Sequence, residues 1–448
     1  MTPKLFIPLL FILIKCVKSI ILPIKIYIPK FNDSKIIHYF NSRQYYSNIQ
    51  LGTPKQNTIL ILLLKENSFY LDKIDEKFSI SEIKTQYNYN KSSSYHLLSD
   101  FDQSYGKYKG AFISENFYFY DNLKESKKIY KNISFFLTSK NTINLIFNAG
   151  IGLQKNSKDK GFVEILKELD YIETSDWFLN YSNSENNENE EIILVIGRKP
   201  HEYYPQYYSE NQIISMNSYC SATYLKWGIL FNKIYINEHS FNDLLDSEIN
   251  FNYESLIIPN DYWDYISEIY FNEYTNLNIC SITMNSDKMR YFFCDKTKFG
   301  QKDISKAPII YFYSVQFKYT FEMKGKDLFV LKNDKYYFLL FSETFTYSWI
   351  LGRPFLKKYI FLYNIEEKTI SFYNPNIPFI NNYDKLDKYK KNSKYILLII
   401  ILSLILILIS YFGICILRKN HRQRKIRSNE LEDGFIYKPQ NNSNKLIS

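Results

Sequence analysis

The chain has 448 residues, 46% of them apolar and 23% charged, with 13 Gly and 13 Pro, which excludes a disordered or fibrous polymer. Its formal charge of +10 gathers at the ends: the stretch after Leu417 carries +5 and Lys4, Lys15 and Lys18 carry +3, so the body holds only +2, and a nucleic-acid partner is excluded. Five Cys and five scattered His offer no metal-ligand spacing, so neither a metal nor a cofactor is expected.

In chain order, Lys4 and the apolar run over 5–14 have the layout of a secretory signal peptide, with cleavage expected after Ser19, so that 1–19 is removed. The body reads as short strands separated by polar turns. Strands are expected at 58–64, 112–120, 192–196, 231–236, 309–313 and 369–373, each β-branched or aromatic with alternation or a short apolar run. Helical patterns are weaker, at 161–169 and 261–270. The run 182–191 (SNSENNENEE) reads as an acidic surface loop. A mostly-β body of this length exceeds one ordinary sandwich and implies two β lobes.

Residues 374–394 read as a linker, and 395–417 as a transmembrane helix. This last stretch holds 23 residues without a charge, roughly 34 Å as a helix. The basic cluster that follows places the 418–448 tail in the cytosol. The chain is therefore expected to be a single-pass type I membrane protein of the secretory pathway or cell surface, with 20–394 outside the cytosol. Asn32, Asn90, Asn132 and Asn180 open N-x-Ser sequons on the glycosylating side, whereas Asn441 falls on the other.

Residues 45–71 read YYSNIQLGTPKQNTILILLLKENSFYL and residues 349–372 read WILGRPFLKKYIFLYNIEEKTISF. The first resembles YYxxIxIGTPxQ…DTGSSxLWV and the second WILGDxFLRxYYxVFDxxxxxIGF, both of the pepsin-like aspartic proteases. NAGIGL at 148–153, SLIIPNDY at 255–262 and the stretch from Cys294 to Phe312 are similar to further family segments, in the right order. The resemblance covers most of the body. It implies a bilobal pepsin-like acid-protease fold over 45–373, with an N-lobe over about 45–204, a C-lobe over about 205–373 and a peptide-binding cleft between them. It also implies a disulfide between Cys280 and Cys294, which leaves Cys220 over, and a flap carrying Tyr105 and Gly106.

The family's reaction needs two aspartates sharing one proton and activating a water. Here the first DTG column falls on Leu63-Leu64-Lys65 and the second on Phe251-Asn252-Tyr253; neither DTG nor DSG occurs in the chain. Leu63 and Phe251 suit an apolar plug, and Lys65 and Tyr253 replace the glycines that let the two loops approach. The expectation is a pseudoprotease, with no catalytic residues, that binds a peptide or protein partner. One alternative is an active aspartic-type endopeptidase using Glu66 and Glu254, three residues past each lost aspartate. Another is a structural or adhesive ectodomain.

Overall fold

In the computed structural model the described residues are 18–27, 44–63, 69–72, 87–100, 103–105, 108–120, 127–138, 149–153, 161–181, 192–219, 226–241, 245–284, 289–343, 347–378, 410–414, 416–421 and 424. Residues 1–380 and 381–448 are two separate units. The first is mainly β, as its short alternating apolar runs predict.

Twelve strands of the first unit form two six-strand motifs. The first motif holds β1 (Gln44–Leu51), β2 (Gln56–Leu63), β3 (Phe69–Asp72), β4 (Tyr108–Phe119), β5 (Lys128–Thr138) and β6 (Ala149–Gly152). The second holds β7 (Gly228–Phe231), β8 (Leu245–Ile249), β9 (Leu256–Ile258), β10 (Met289–Asp295), β11 (Leu340–Glu343) and β12 (Trp349–Leu351).

The first motif is ordered β1-β2-β6-β3-β5-β4, its pairings alternating antiparallel and parallel, beginning and ending antiparallel. The second is ordered β7-β8-β12-β9-β11-β10 with the same alternation. Strand for strand, one motif repeats the other. At the centre of the second motif, β9 is a run of three buried residues (Leu256, Ile257, Ile258), as a strand covered on both faces requires.

A second repeat joins the halves. A six-stranded antiparallel layer runs Ile20–Tyr27, Ile192–Ile196, Asp176–Tyr181, Phe361–Asn364, Thr369–Tyr373, Ile213–Asn217. Read from either edge, it places the first strand of a half outermost, the last next, and the penultimate at the centre. In both halves a short helix precedes the penultimate strand, Phe162–Glu168 in one and Arg353–Lys358 in the other. The Ile20–Tyr27 strand, ahead of the 45–373 stretch that carries the resemblance, is thus part of the first half.

Aromatic side chains fill the centre. Trp177 stacks on Tyr363 at 4.1 Å across the two central strands, and Trp227 of the second half meets both rings. The indole Nε1 of Trp227 donates to the Leu153 carbonyl of the first half at 2.7 Å. A four-stranded sheet of His239–Phe241, Lys233–Ile236, Ile310–Ser314 and Tyr319–Met323 completes the second half. Cys280 and Cys294 are disulfide-bonded and face each other across an antiparallel pair.

In the second unit, 410–414 and 416–421 are helical. Among the described residues no helix is long and apolar enough to cross a membrane. Most of the 395–417 stretch lies outside the described residues, as do most of the 1–19 leader, all of 182–191, and Asn32, Cys220 and Asn441.

Candidate functional site

The two loops that carry the aspartates in the family motif follow β2 and β8. Backbone register sets their equivalence without reference to side chains. On β6, Gly150 pairs with both Ile61 of β2 and Tyr70 of β3. On β12, Ile350 pairs with both Glu248 of β8 and Ile257 of β9. In each half the two flanking residues are nine apart in sequence, a separation that fits no other rung of β6. Ile61 therefore answers Glu248, and Leu63 answers Asn250. Phe251, the counterpart by sequence alignment, is one residue further on.

Asn250 is buried, and its polar groups are used locally. Its backbone N–H donates to the Leu351 carbonyl at 3.0 Å, its Oδ1 accepts from the Asn252 N–H at 3.2 Å, and its Nδ2 donates to Glu248 Oε1 at 3.4 Å. Glu248, on the same face of β8 two residues earlier, is itself buried and ion-paired to Lys226. These two residues escaped the sequence reading, because without the ladder nothing marks Asn250 as the partner of Leu63.

Phe251 is 2% exposed and meets Tyr45 of the first half edge-on, ring centroids 5.2 Å apart. With Leu179, Tyr181, Leu356, Tyr359, Phe361 and Tyr363 it lines a void of about 10 Å³. That is about the smallest space that holds one water, and its lining is wholly aliphatic and aromatic, three of the side chains being tyrosines. Phe251 thus fills the junction between the halves. Close approach is kept by Gly352: a Cβ there would stand 2.0 Å from the Ser255 carbonyl oxygen and 2.6 Å from that of Tyr253.

Glu254 is ion-paired with Arg353. Arg353 Nη1 contacts its two oxygens at 2.8 and 2.7 Å, with the arginine side chain 4% exposed and the glutamate 13%. The Arg353 N–H also donates to the Tyr253 carbonyl at 2.8 Å. Arg353 opens the helix Arg353–Lys358, where a cation opposes the helix dipole; the Glu254 carboxylate offsets it. The motif that the sequence resembles has Asp in the column of 353 and Ser or Thr in that of 254, so the resemblance fails at both partners of this pair. Two matched departures were the available signal.

Burial, reinforced by the nearby carboxylates Glu248 and Glu343, pushes the Tyr253 phenol above its usual range. Burial likewise raises Tyr181. Both stay neutral, so neither supplies a base at ordinary pH.

Leu63 closes β2, its backbone paired with Gly152. The Leu63 side chain, Lys65 and Glu66 lie outside the described residues. Tyr105 ends a short strand, Gln103–Tyr105, and pairs antiparallel with Tyr108; Gly106 lies outside the described residues. Among the described residues no group of three His, Cys, Asp or Glu could hold a metal ion. Asn90 and Asn132 are exposed, the latter with a φ of 56°. Asn180 is half-buried.

No family model matches the chain, and no curated protein matches it.

Proposed function

We propose that the chain is a pepsin-like pseudoprotease: a bilobal acid-protease fold that holds a peptide or protein segment between its halves without cutting it. It would be anchored by a helix over 395–417, with its body in the secretory lumen or outside the cell. The observation that carries this reading is the equivalence of Leu63, the last residue of β2, and Asn250, the residue that follows β8. Hydrolysis in this family needs a carboxylate at both positions, one to keep a proton and one to activate water; here there is none at either.

The duplicated topology and the palindromic central layer support the fold assignment. Phe251 in the junction supports the inactive reading; Glu254, the described member of the substitute pair Glu66/Glu254, carries Arg353 against its carboxylate.

The test is incubation of the purified full-length chain, in detergent, with a denatured-protein peptide library from pH 3 to 7. The expected result is no cleavage together with saturable binding of a subset of peptides. Turnover that co-purifies with the chain and disappears in Glu66→Gln would replace this reading with an active endopeptidase. Neither turnover nor binding would leave a structural or adhesive ectodomain.

A further inference from the structure

We propose that Asn180 carries an N-linked glycan whose first sugars lie in a tyrosine-lined groove of this chain's own surface. The inference rests on the lumenal orientation argued above, and adds a modification site and its receptor.

The groove measures about 450 Å³, within the range of roughly 300–1,000 Å³ that holds small ligands. Asn180 is part of its wall, with Tyr204, Tyr207, Tyr208, Leu356 and Ile360 around it. The groove exists because the central pairing stops short. Strand Asp176–Tyr181 pairs with Phe361–Asn364 only from Asp176 to Phe178, so the flank of residues 179–181 is left open on that side. The sequon asparagine thus stands where a central strand is paired on one side only, Asn180 opposite Ile193.

The lining suits a sugar. A pyranose presents apolar C–H faces and hydroxyl edges, and a tyrosine ring answers the first while its phenol answers the second. Tyr204 and Tyr207 stand 6.4 Å apart between ring centroids, and Tyr207 is 69% exposed, a large aromatic side chain with most of its surface uncovered. Asn180 Nδ2 donates to the Tyr204 hydroxyl at 2.9 Å. A glycosylated amide keeps one N–H, so this bond can persist and aim the linkage along the groove. The occupant is named by position: a glycan on Asn180 starts inside the groove, whereas glycans on the exposed Asn90 and Asn132 start in solvent.

The test uses the full-length chain expressed in a glycosylating host, mapped by glycopeptide mass spectrometry. It is then treated with peptide N-glycosidase with and without prior denaturation. Asn180 is expected to be modified, and its glycan to be released at least tenfold more slowly than those of Asn90 and Asn132 from the native protein, at equal rates after denaturation. Tyr207→Ala, at an exposed position, should bring native release at Asn180 close to the rate at the other two. Modification of Asn90 or Asn132 with Asn180 bare would overturn the proposal, as would native release at equal rates. An unmodified chain at every sequon would instead overturn the lumenal orientation, and this inference with it.

Discussion

Arg353 and Glu254, 99 residues apart in the chain, are joined by one guanidinium nitrogen that reaches both carboxylate oxygens at 2.8 and 2.7 Å. The pair ties the loop after β8 to the helix that leads into the central layer. Breaking a buried ion pair by removing one member costs about 3–5 kcal/mol, whereas replacing both with apolar residues of similar volume is close to neutral. Glu254→Gln should therefore lower unfolding stability by about 3 kcal/mol, and Glu254→Met with Arg353→Leu should recover most of it. Urea unfolding of the three proteins checks this; equal stability of Glu254→Gln and the parent chain would show that the contact holds nothing in place.

The register argument makes a sharper claim about position. If Leu63 answers Asn250, then Leu63→Asp with Asn250→Asp places two carboxyls at equivalent positions, and one of them should titrate well above the ordinary carboxylate range, since neighbouring carboxylates cannot both ionise freely. Leu63→Asp with Phe251→Asp should instead empty the junction and destabilise the chain by about 3–5 kcal/mol, the cost of losing a buried aromatic. Carbon-detected NMR titration of the aspartates distinguishes them. Coupled titration in the second pair and independent titration in the first would restore the sequence-aligned equivalence.

Much of the fold was legible because local pattern and burial agree. Strands Ile192–Ile196 and Thr369–Tyr373 fall where the apolar runs put them. The expected strand at 231–236 is two, broken at Asn232, whose side chain accepts from the Val315 N–H at 2.8 Å. A polar residue inside an apolar run can serve a turn of another element, and one sequence gives no sign of that. The helical pattern at 261–270 continues further, through a π-turn at Ser267–Phe271 to Asn276. The site was less legible: Asn250 is fixed by backbone pairing alone, and Glu254 by a cation that only the tertiary fold brings near. The Ile20–Tyr27 strand was hidden because it lies ahead of the stretch that carries the family motif.

The Cys280–Cys294 bridge closes a sequence separation of 14 and pins an edge strand to β10. Both cysteines are buried. In the chain-entropy account a loop of this size contributes about 3 kcal/mol by restricting the unfolded chain. Cys280→Ala with Cys294→Ala should lose about that much, and the parent chain should lose the same amount when unfolded under reducing conditions. A double variant as stable as the parent would show that the bridge adds no constraint beyond the strand pairing.

His201 links the segment between the halves to the last strand: its Nδ1 lies 2.8 Å from the Tyr373 hydroxyl. Burial pulls its pKa below the usual 6.5. The carboxylates of Glu202, Glu210 and Asp176 oppose that shift, and Lys199 adds to it. The folded chain therefore takes up a proton at lower pH than the unfolded chain does. The stability due to neutral His201 is complete above about pH 6.5 and is lost as the pH falls from there through the lowered folded value. His201→Gln, which keeps a polar side chain but cannot titrate, should unfold with less difference between pH 7.5 and pH 5 than the parent. Thermal unfolding at the two pH values measures it; an unchanged difference would place the acid sensitivity elsewhere in the fold.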